Sequence, residues 1–325
     1  MNILITGGSG FIGTRLVEDL LKNNHNVRIY DKVTSEKYPH LVTIGDVRDK
    51  DALIKACRGI DIIYNLAAEH KDDVTPKSLY ADVNIGGADN VVAAARYNKI
   101  KRIIFTSSVA IYGLNRGEPD ETTDAKPFNE YGRTKYEAEK IFLQWANENQ
   151  ENSLVIVRPA VIFGERNRGN VYNLMKQIAS GKFIMIGNGK NKKSMGYVGN
   201  ISAFLASMAF RKSKNIEIFN FAGKPDLNTK EIVTIIRKEM GIKGKMFSLP
   251  YFIGLSGGYI FDIFALLTGK KYPVSSIRIK KFTAETTVST KNLEKIGFKN
   301  PYTLEEGLKR MIQSEFFPEL NSLPE

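Results

Sequence analysis

The chain begins Met1-Asn-Ile-Leu-Ile-Thr-Gly-Gly-Ser-Gly-Phe-Ile-Gly13 and continues into an amphipathic segment over residues 14–22. The apolar run before Thr6 is typical of a buried parallel strand, and the amphipathic segment is typical of a helix that covers a sheet. Glycines at positions 7, 10 and 13 permit a tight turn, a close approach of the backbone to a phosphate, and close packing of the helix on the strand. The stretch therefore predicts a strand, a glycine turn and a helix whose N-terminus receives an anion.

A second apolar run, residues 26–30, ends at Asp31. A carboxylate at the end of the second strand accepts hydrogen bonds from the ribose hydroxyls of a bound dinucleotide. The same carboxylate repels the 2′-phosphate of NADP, so the predicted cofactor is NAD. The neighbouring Lys32 keeps NADP open as an alternative.

Strand and helix patterns alternate along the next part of the chain. We predict helices over residues 51–58 and 76–97 and strands over residues 61–66 and 102–106. This alternation predicts an α/β fold, a Rossmann-type doubly wound parallel sheet, in which ligands bind at the carboxyl ends of the strands. The polar or small residues expected at those ends are Asp31, Asp46, Val47, Ala67, Ala68, Ser107 and Ser108.

Length and composition are typical of a cytoplasmic enzyme with two lobes. We expect an NAD-binding domain over residues 1–165 and a smaller α/β substrate lobe over residues 166–325, with some of its segments returning to the main sheet. A single cysteine, Cys57, excludes an internal disulfide, and three scattered histidines predict no metal site. The early glycines interrupt the first apolar run, so we expect no export signal.

A tyrosine and a lysine stand four residues apart in Tyr131-Gly-Arg-Thr-Lys135. On a helix the two side chains share one face and lie about one turn apart. An ammonium held roughly 4 Å from a phenol in a partly screened site favours the phenolate by about 4 kcal/mol, or about three pKa units. The pair therefore predicts a tyrosine that exchanges protons near neutral pH.

Together these motifs resemble the extended short-chain dehydrogenase/reductases, in particular the NAD-dependent sugar epimerases and dehydratases. Residues 6–13 look like the dinucleotide turn of that family, residues 45–48 like its adenine-contacting segment, and residues 131–135 like its catalytic helix. Residues 65–68 look like the strand behind the nicotinamide. The resemblance implies these cofactor-binding residues: Gly7, Gly10, Phe11, Ile12, Gly13, Asp31, Lys32, Asp46, Val47, Leu66, Ala67, Ala68, Asn84, Tyr131, Lys135 and Pro159.

The resemblance also implies the roles of three catalytic side chains. Ser108 matches the catalytic serine of the family, because it stands four residues before Tyr112, and it would hydrogen-bond the reacting oxygen. Tyr131 would take the proton of a sugar hydroxyl while NAD accepts a hydride from the same carbon. Lys135 would hold the ribose and lower the pKa of Tyr131. Return of the hydride to the opposite face of the keto-sugar would complete a 4-epimerase cycle.

Dehydration and keto-sugar reduction are two other reactions of the family. Dehydratases carry an acidic pair directly after the catalytic serine or threonine, where this chain has Val109 and Ala110, and these side chains cannot move protons. Keto-sugar reductases use the same serine, tyrosine and lysine, so a reductase remains an alternative. A catalytically idle NAD-binding protein is a third possibility, which the presence of all three side chains speaks against.

The second half of the chain carries the residues that the resemblance assigns to the substrate. Arg166 and Arg168 stand beside asparagines, and guanidinium groups suit phosphate oxygens. Lys193 occupies the position where nucleotide-sugar epimerases have an arginine, which speaks against ordinary UDP-sugar binding. The implied substrate-binding residues are His70, Ser107, Ser108, Arg166, Arg168, Asn170 and Lys193.

Residues 247–268 are rich in aromatic and aliphatic side chains, with Asp262 as the only charge, and the chain has a net charge of +12. Pro250, three glycines and Asp262 argue against a membrane-spanning helix, whereas an apolar surface rimmed by cations fits an anionic membrane face. Packing in the core of the substrate lobe is the alternative. We expect no nucleic-acid partner, since no recognised motif accompanies the charge. The flanking cations are Lys243, Lys245, Lys270, Lys271, Arg278, Lys280 and Lys281.

Within the family, the chain looks most like the 4-epimerases of amino sugars linked to polyprenyl diphosphate. That likeness implies a role in O-antigen lipopolysaccharide or other surface-polysaccharide synthesis, peripheral association with the inner face of the cell membrane over residues of about 245–281, and a homodimer. A soluble epimerase of UDP-N-acetylglucosamine or UDP-glucose remains the alternative.

Overall fold

The computed structural model of the protein describes residues 1–71, 74–211, 215–270, 272 and 274–317. Its strands are β1 Asn2–Thr6, β2 Asn26–Asp31, β3 Val42–Ile44, β4 Ile62–Asn65, β5 Arg102–Thr106, β6 Ser153–Pro159, β7 Val161–Phe163, β8 Met185–Ile186, β9 Lys192–Tyr197, β10 Ile216–Phe221, β11 Gly223–Asn228 and β12 Ser248–Leu249. Its helices are α1 Phe11–Lys22, α2 Lys50–Ala56, α3 Ser78–Tyr80, α4 Gly87–Tyr97, α5 Glu130–Asn147, α6 Asn170–Ala179, α7 Val198–Ser207, α8 Thr229–Glu239, α9 Tyr251–Thr268, α10 Ser276–Thr283, α11 Lys291–Lys295 and α12 Leu304–Phe316.

A seven-stranded parallel sheet in the order β10-β6-β5-β4-β1-β2-β3 forms the centre of the molecule. Its inner strands are buried on both faces, as the continuous apolar runs of β1, β4 and β5 predict. Helices α2, α4 and α5 cover one face, and α1 and α7 cover the other. The predicted doubly wound α/β fold is confirmed.

Most predicted elements lie within a few residues of the observed ones. Strand β5 has the predicted bounds, while α2 begins one residue earlier and ends two residues earlier than expected. The helix predicted over residues 76–97 is divided, because a π-helical turn over Ala81–Gly86 separates α3 from α4. That turn carries Asn84, one of the predicted cofactor residues.

The second half of the chain builds a smaller layer and also completes the main sheet. Strands β11, β9 and β7 form a separate three-stranded sheet, and β12 pairs with β8. Helices α6, α8 and α12 pack over this layer around a third apolar core. Strand β10 and helix α7 return to the central sheet. The division of the chain near residue 165 stays a prediction.

Helix α9 differs from the sequence-based expectation. It is one continuous helix of 18 residues with a mean hydropathy of 1.5, and 11% of it is buried. By length and composition alone it reaches what a membrane crossing requires. Pro250 does not interrupt this helix because it lies at the N-terminal boundary, and the exposure excludes packing of the stretch in a core. Among the cations predicted to flank this stretch, Lys271 lies outside the described residues.

Two glycines of α9 mark where this helix touches the rest of the protein. A Cβ at Gly258 would meet the backbone of Ser276 at 2.9 Å, and a Cβ at Gly254 would meet the side chain of Ile186 at 2.7 Å. A carboxylate oxygen of Asp262 accepts a hydrogen bond of 3.2 Å from the amide of Ser276, the first residue of α10. Helices α9 and α10 are therefore held together as one unit by close backbone contact and a side-chain cap.

We predict that His25→Phe makes stability less dependent on pH. His25 is 6% exposed, lies 4.7 Å from the Phe210 ring, and has no hydrogen-bond partner for either ring nitrogen among the described residues. Burial lowers the pKa of His25 from its usual 6.5. In mildly acidic buffer the unfolded chain therefore binds more protons than the folded protein. The folded state loses stability as the pH falls through 6.5, the usual pKa that His25 has in the unfolded chain. Urea unfolding of both proteins in acidic and mildly alkaline buffer measures the difference. Parallel pH profiles would contradict it.

Candidate active site

The glycine turn after β1 leaves no room for a side chain at positions 7 and 13. Gly7 has a φ of 73°, and a Cβ there would lie 2.6 Å from the backbone nitrogen of Ala67. A Cβ at Gly13 would lie 2.5 Å from the carbonyl oxygen of Gly7. At the end of β2, Asp31 accepts a hydrogen bond of 3.0 Å from the amide of Ser9, which places its carboxylate beside the turn. This cradle fits a dinucleotide whose pyrophosphate approaches bare backbone.

One cleft of about 2710 Å³ runs along the carboxyl edge of the main sheet and into the smaller layer. Ligand pockets usually occupy roughly 300–1,000 Å³, so the cleft has room for a dinucleotide together with a second ligand. Apart from Asn84, every residue predicted to contact the cofactor lines this cleft. The residues present therefore fit NAD.

Tyr131 lies in the first turn of α5, and two local contacts fix that turn. The side chain of Asn129 accepts a hydrogen bond of 2.9 Å from the amide of Gly132 and so caps the helix. A Cβ at Gly132 would lie 2.6 Å from the carbonyl oxygen of Ala110, so α5 meets the turn after β5 at close range. Ser108 begins that turn, and its hydroxyl accepts from the amide of Ala110 at 3.1 Å. The fold thereby places Ser108 beside Tyr131.

The pKa of Tyr131 departs from the sequence-based expectation. Burial raises it, and a hydrogen bond with Ser108 opposes that effect. Lys135 is 2% exposed, its ammonium lies 4.4 Å from the centroid of the Phe105 ring, and burial lowers its pKa to about 7, against the pull of Glu139. The expected lowering of the tyrosine pKa by Lys135 is therefore not found in this structure. Both groups stand in a low-dielectric site that favours their neutral forms.

Asn84 does not line the cleft, in contrast to the prediction. Its side-chain oxygen accepts from the amide of Glu69 at 2.9 Å, and its nitrogen donates to the carbonyl of Glu69 at 3.1 Å and to the hydroxyl of Thr134 at 3.0 Å. These three hydrogen bonds join the segment after β4 to helix α5. Asn84 therefore contributes to the site by holding these two segments together.

The predicted substrate residues divide between the cleft and its surroundings. Arg166 does not line the cleft: its guanidinium pairs with Glu36, and its amide donates to Glu315 at 2.6 Å. Arg168 lines the cleft, pairs with Glu315 at 3.0 Å, and stacks over the Tyr172 ring at 4.4 Å. The other predicted residues that line it are His70, Ser107, Ser108, Asn170 and Lys193.

Ser107 and Lys193 have contrasting environments. Ser107 is 3% exposed, and its hydroxyl has no hydrogen-bond partner among the described residues, so it is available to a ligand in the cleft. The ammonium of Lys193 donates to the carbonyl oxygens of Lys281, at 3.0 Å, and Ala284. Burial lowers its pKa to about 8. Lys193 thus caps the C-terminal end of α10 and ties this helix to β9.

Sequence reasoning missed a buried ion pair that joins α5 to β6. Glu139 is fully buried and Arg158 is 7% exposed, and two hydrogen bonds of 3.0 and 2.7 Å join them. Arg158 also donates to the Tyr112 hydroxyl at 2.7 Å. The available signal was the position of Glu139, four residues beyond Lys135 and therefore on the same face of α5.

The comparisons with known proteins agree with this geometry. The model of the NAD-dependent epimerase/dehydratase family matches residues 3–222. The N-acetyl-alpha-D-glucosaminyl-diphospho-ditrans,octacis-undecaprenol 4-epimerase of Escherichia coli O157:H7 is 51% identical over 316 residues, which cover 97% of this chain and 95% of the relative. The UDP-glucose 4-epimerase of Vibrio cholerae is 27% identical over 324 residues, which cover 96% and 95%.

Solved structures share the fold. The UDP-glucose 4-epimerase of Thermotoga maritima, with UDP-glucose, superposes with a TM-score of 0.78 at 22% identity and covers 99% of this chain and 100% of its own. The UDP-glucuronic acid 4-epimerase of Bacillus cereus, in complex with NAD, superposes with a TM-score of 0.77 at 21% identity and covers 98% and 99%.

We predict that Glu139→Ala destabilises the protein by about 3–5 kcal/mol, because it leaves the guanidinium of Arg158 buried without its partner. The matched control is Glu137→Ala on the same helix. Glu137 pairs with Lys140 at the surface, so its loss should cost less than about 1 kcal/mol. Chemical denaturation of the two variants and the parent measures both values. Equal losses in the two variants would contradict the prediction.

Proposed function

The chain belongs to the NAD-dependent epimerase/dehydratase family, and we propose that it is the 4-epimerase of N-acetylglucosaminyl-diphospho-undecaprenol. The observation that carries the proposal is the identity of half of all residues, along nearly the full chain, with the Escherichia coli enzyme of that name. The resemblance expected from the sequence and the choice of NAD as cofactor are confirmed. The product is the N-acetylgalactosaminyl counterpart, for the assembly of O-antigen or a related surface polysaccharide.

The catalytic roles follow from the arrangement of three side chains. Bound NAD supplies a reversible hydride acceptor. Tyr131 would remove the proton of the sugar 4-hydroxyl in its phenolate form, which burial makes the minor form at neutral pH, and Ser108 would hydrogen-bond the oxygen that becomes the 4-keto group. Lys135 holds the nicotinamide ribose. If the keto-sugar turns over in the cleft before the hydride that NAD would hold is given back, Tyr131 would return the proton to the 4-oxygen, and the stereocentre would invert without net oxidation.

The lining of the cleft beyond position 160 suits a diphosphate. Its described cations are Arg168, Lys176, Lys182, Lys193, Arg278 and Lys281, and Glu285 is the described acid there. A diphosphate is recognised by such groups through charge-assisted hydrogen bonds. Among these cations, Lys193 already donates to carbonyl oxygens at the end of α10, so we assign it to the positioning of α10.

The surface of α9 supports a membrane-linked substrate. Its outward side chains are large and apolar, and Phe252, Ile263 and Leu267 are 69%, 58% and 75% exposed. Lys280 of α10 donates to the hydroxyl of Tyr259 on α9 at 2.9 Å, so a cation stands beside this surface. We propose that this surface binds the anionic inner face of the cell membrane peripherally, since an apolar face with adjacent cations suits that interface. We also propose that the enzyme is a cytoplasmic homodimer.

Turnover tests the proposal directly. Purified protein with NAD should epimerise N-acetylglucosaminyl-diphospho-undecaprenol, and Tyr131→Phe should lower kcat by at least about 10²-fold because the proton acceptor is lost. NAD binding by Tyr131→Phe, followed by fluorescence, should stay close to that of the parent and serves as the control. The two hexosamine epimers are separated after release from the lipid.

The soluble UDP-N-acetylglucosamine 4-epimerase is the second candidate, supported by the full-length likeness to UDP-glucose 4-epimerases. Both substrates are therefore offered in parallel at equal concentration. Conversion of the nucleotide sugar with at least the efficiency of the lipid-linked sugar would overturn the lipid assignment. Reduction of a supplied 4-keto-sugar, with matching oxidation of added NADH, would indicate a reductase instead.

Membrane binding gives a second test. The parent should sediment with vesicles that contain anionic lipid and should be partly released by high salt, because screening weakens the contribution of the cations. The double variant Ile263→Asp and Leu267→Asp should bind several-fold more weakly. Tyr97→Asp, which changes a 68% exposed residue at the end of α4, is the matched control and should bind like the parent. Equal binding of all three proteins would contradict the assignment of α9 to the membrane.

A further inference from the structure

The cleft extends beyond Ser108 and Tyr131 to helix α9. The cavity that Ser108 and Tyr131 line is also lined by Ile253, Gly257 and Phe261 of α9. These three residues are four apart, so they form one stripe along the helix. The stripe differs from the outward residues, and Gly254 beside it lines the same cavity while it touches Ile186. Helix α9 therefore presents a third face, which belongs to the active-site cavity.

This third face forms the floor of an apolar groove. The side chains that line the same cavity around it are Ile184, Ile186, Leu249, Val274 and Ile277. A Cβ at Gly257 would meet nothing within 4 Å, whereas Gly254 and Gly258 are in close contact with neighbouring elements. Gly257 thus leaves open space in the floor. Ile253 and Phe261 are 46% and 38% exposed, so the groove is open along its side and not a closed tunnel.

Helix α10 connects this groove to the catalytic site. Its first residue, Ser276, is bound by Asp262 of α9, and the ammonium of Lys281 in its last turn lies 5.7 Å from the ring of Phe128, shortly before Tyr131. Between these ends, Ile277 and Arg278 both line the cavity. Cations thus stand between the apolar groove and the catalytic residues. This order matches a ligand that has a hydrocarbon chain, a diphosphate and a sugar in succession.

We propose that the groove on α9 binds the first isoprene units of the polyprenyl chain of the substrate; this inference rests on the proposed function. The stripe from Ile253 to Phe261 spans about 12 Å at 1.5 Å per residue, which is enough for a few isoprene units. Burial of this hydrocarbon against the groove contributes binding free energy that a nucleotide sugar cannot obtain. The open side lets the rest of the chain remain in the membrane that the outward face contacts. The groove is therefore a specificity site.

Two leucine variants on adjacent positions test the groove. Gly257→Leu fills the open floor, and because leucine favours a helix more than glycine does, the variant should fold. Ser256→Leu introduces the same side chain on the same helix, at an exposed residue that does not line the cavity. The probes are N-acetylglucosaminyl diphosphates with one, three or eleven isoprene units, assayed in the same detergent so that membrane binding does not contribute.

For the parent, KM should fall as the first isoprene units are added. Gly257→Leu should raise KM for the three- and eleven-unit substrates by about tenfold, with little change in kcat, and should remove most of the advantage over the one-unit substrate. A tenfold change in KM corresponds to about 1.4 kcal/mol of binding. Ser256→Leu should behave like the parent.

The outcomes separate the groove from the proposed function. Turnover of all three substrates with equal KM, or equal effects of the two variants, overturns the groove and leaves the lipid-linked substrate intact. Turnover of UDP-N-acetylglucosamine without turnover of any prenyl-linked sugar overturns both. Sedimentation velocity is measured on the same samples. A Gly257→Leu effect that coincides with a change of oligomeric state would assign the groove to a second copy of the chain and would also overturn the proposal.

Discussion

The burial of polar groups on helix α5 constrains the rest of the active site. Thr134 and Glu139 are fully buried and Lys135 is 2% exposed, so each needs a specific partner. Asn84 donates to Thr134, the Phe105 ring faces the ammonium of Lys135, and a guanidinium pairs with Glu139. These partners come from three other parts of the main sheet and its connections. The orientation of the catalytic helix is therefore set by polar contacts that are costly to break.

The sequence predicted those features that depend on neighbouring residues. The glycine turn, Asp31 and the spacing of Tyr131 and Lys135 each express local backbone geometry, and the structure brings them to one cleft. The contacts of Asn84, Arg166 and Lys193 depend on partners that are distant in the sequence, so neighbouring residues do not predict them. Arg166 turns to Glu36, 130 residues away, and no local pattern reveals that pairing.

Helix α9 shows why composition alone misleads. Its glycines reduce helix propensity, yet Gly254 and Gly258 allow close contact with neighbouring elements, which offsets that cost when the contacts form. The resulting helix has one face against α10, one face in the cleft and one face outward. A hydropathy pattern cannot distinguish these faces, because all three are apolar. Their separation requires knowledge of what packs against the helix.

The arrangement of α9 and α10 meets a physical demand of the proposed substrate. A sugar diphosphate is strongly hydrated, whereas a polyprenyl chain is excluded from water, so the two parts of one molecule need different surroundings. Helix α10 is bound to α9 through Ser276 and to β9 through Lys193, so it fixes the distance between the two environments. The contacts of Lys193 with the end of α10 therefore give a physical reason for a buried lysine at this position.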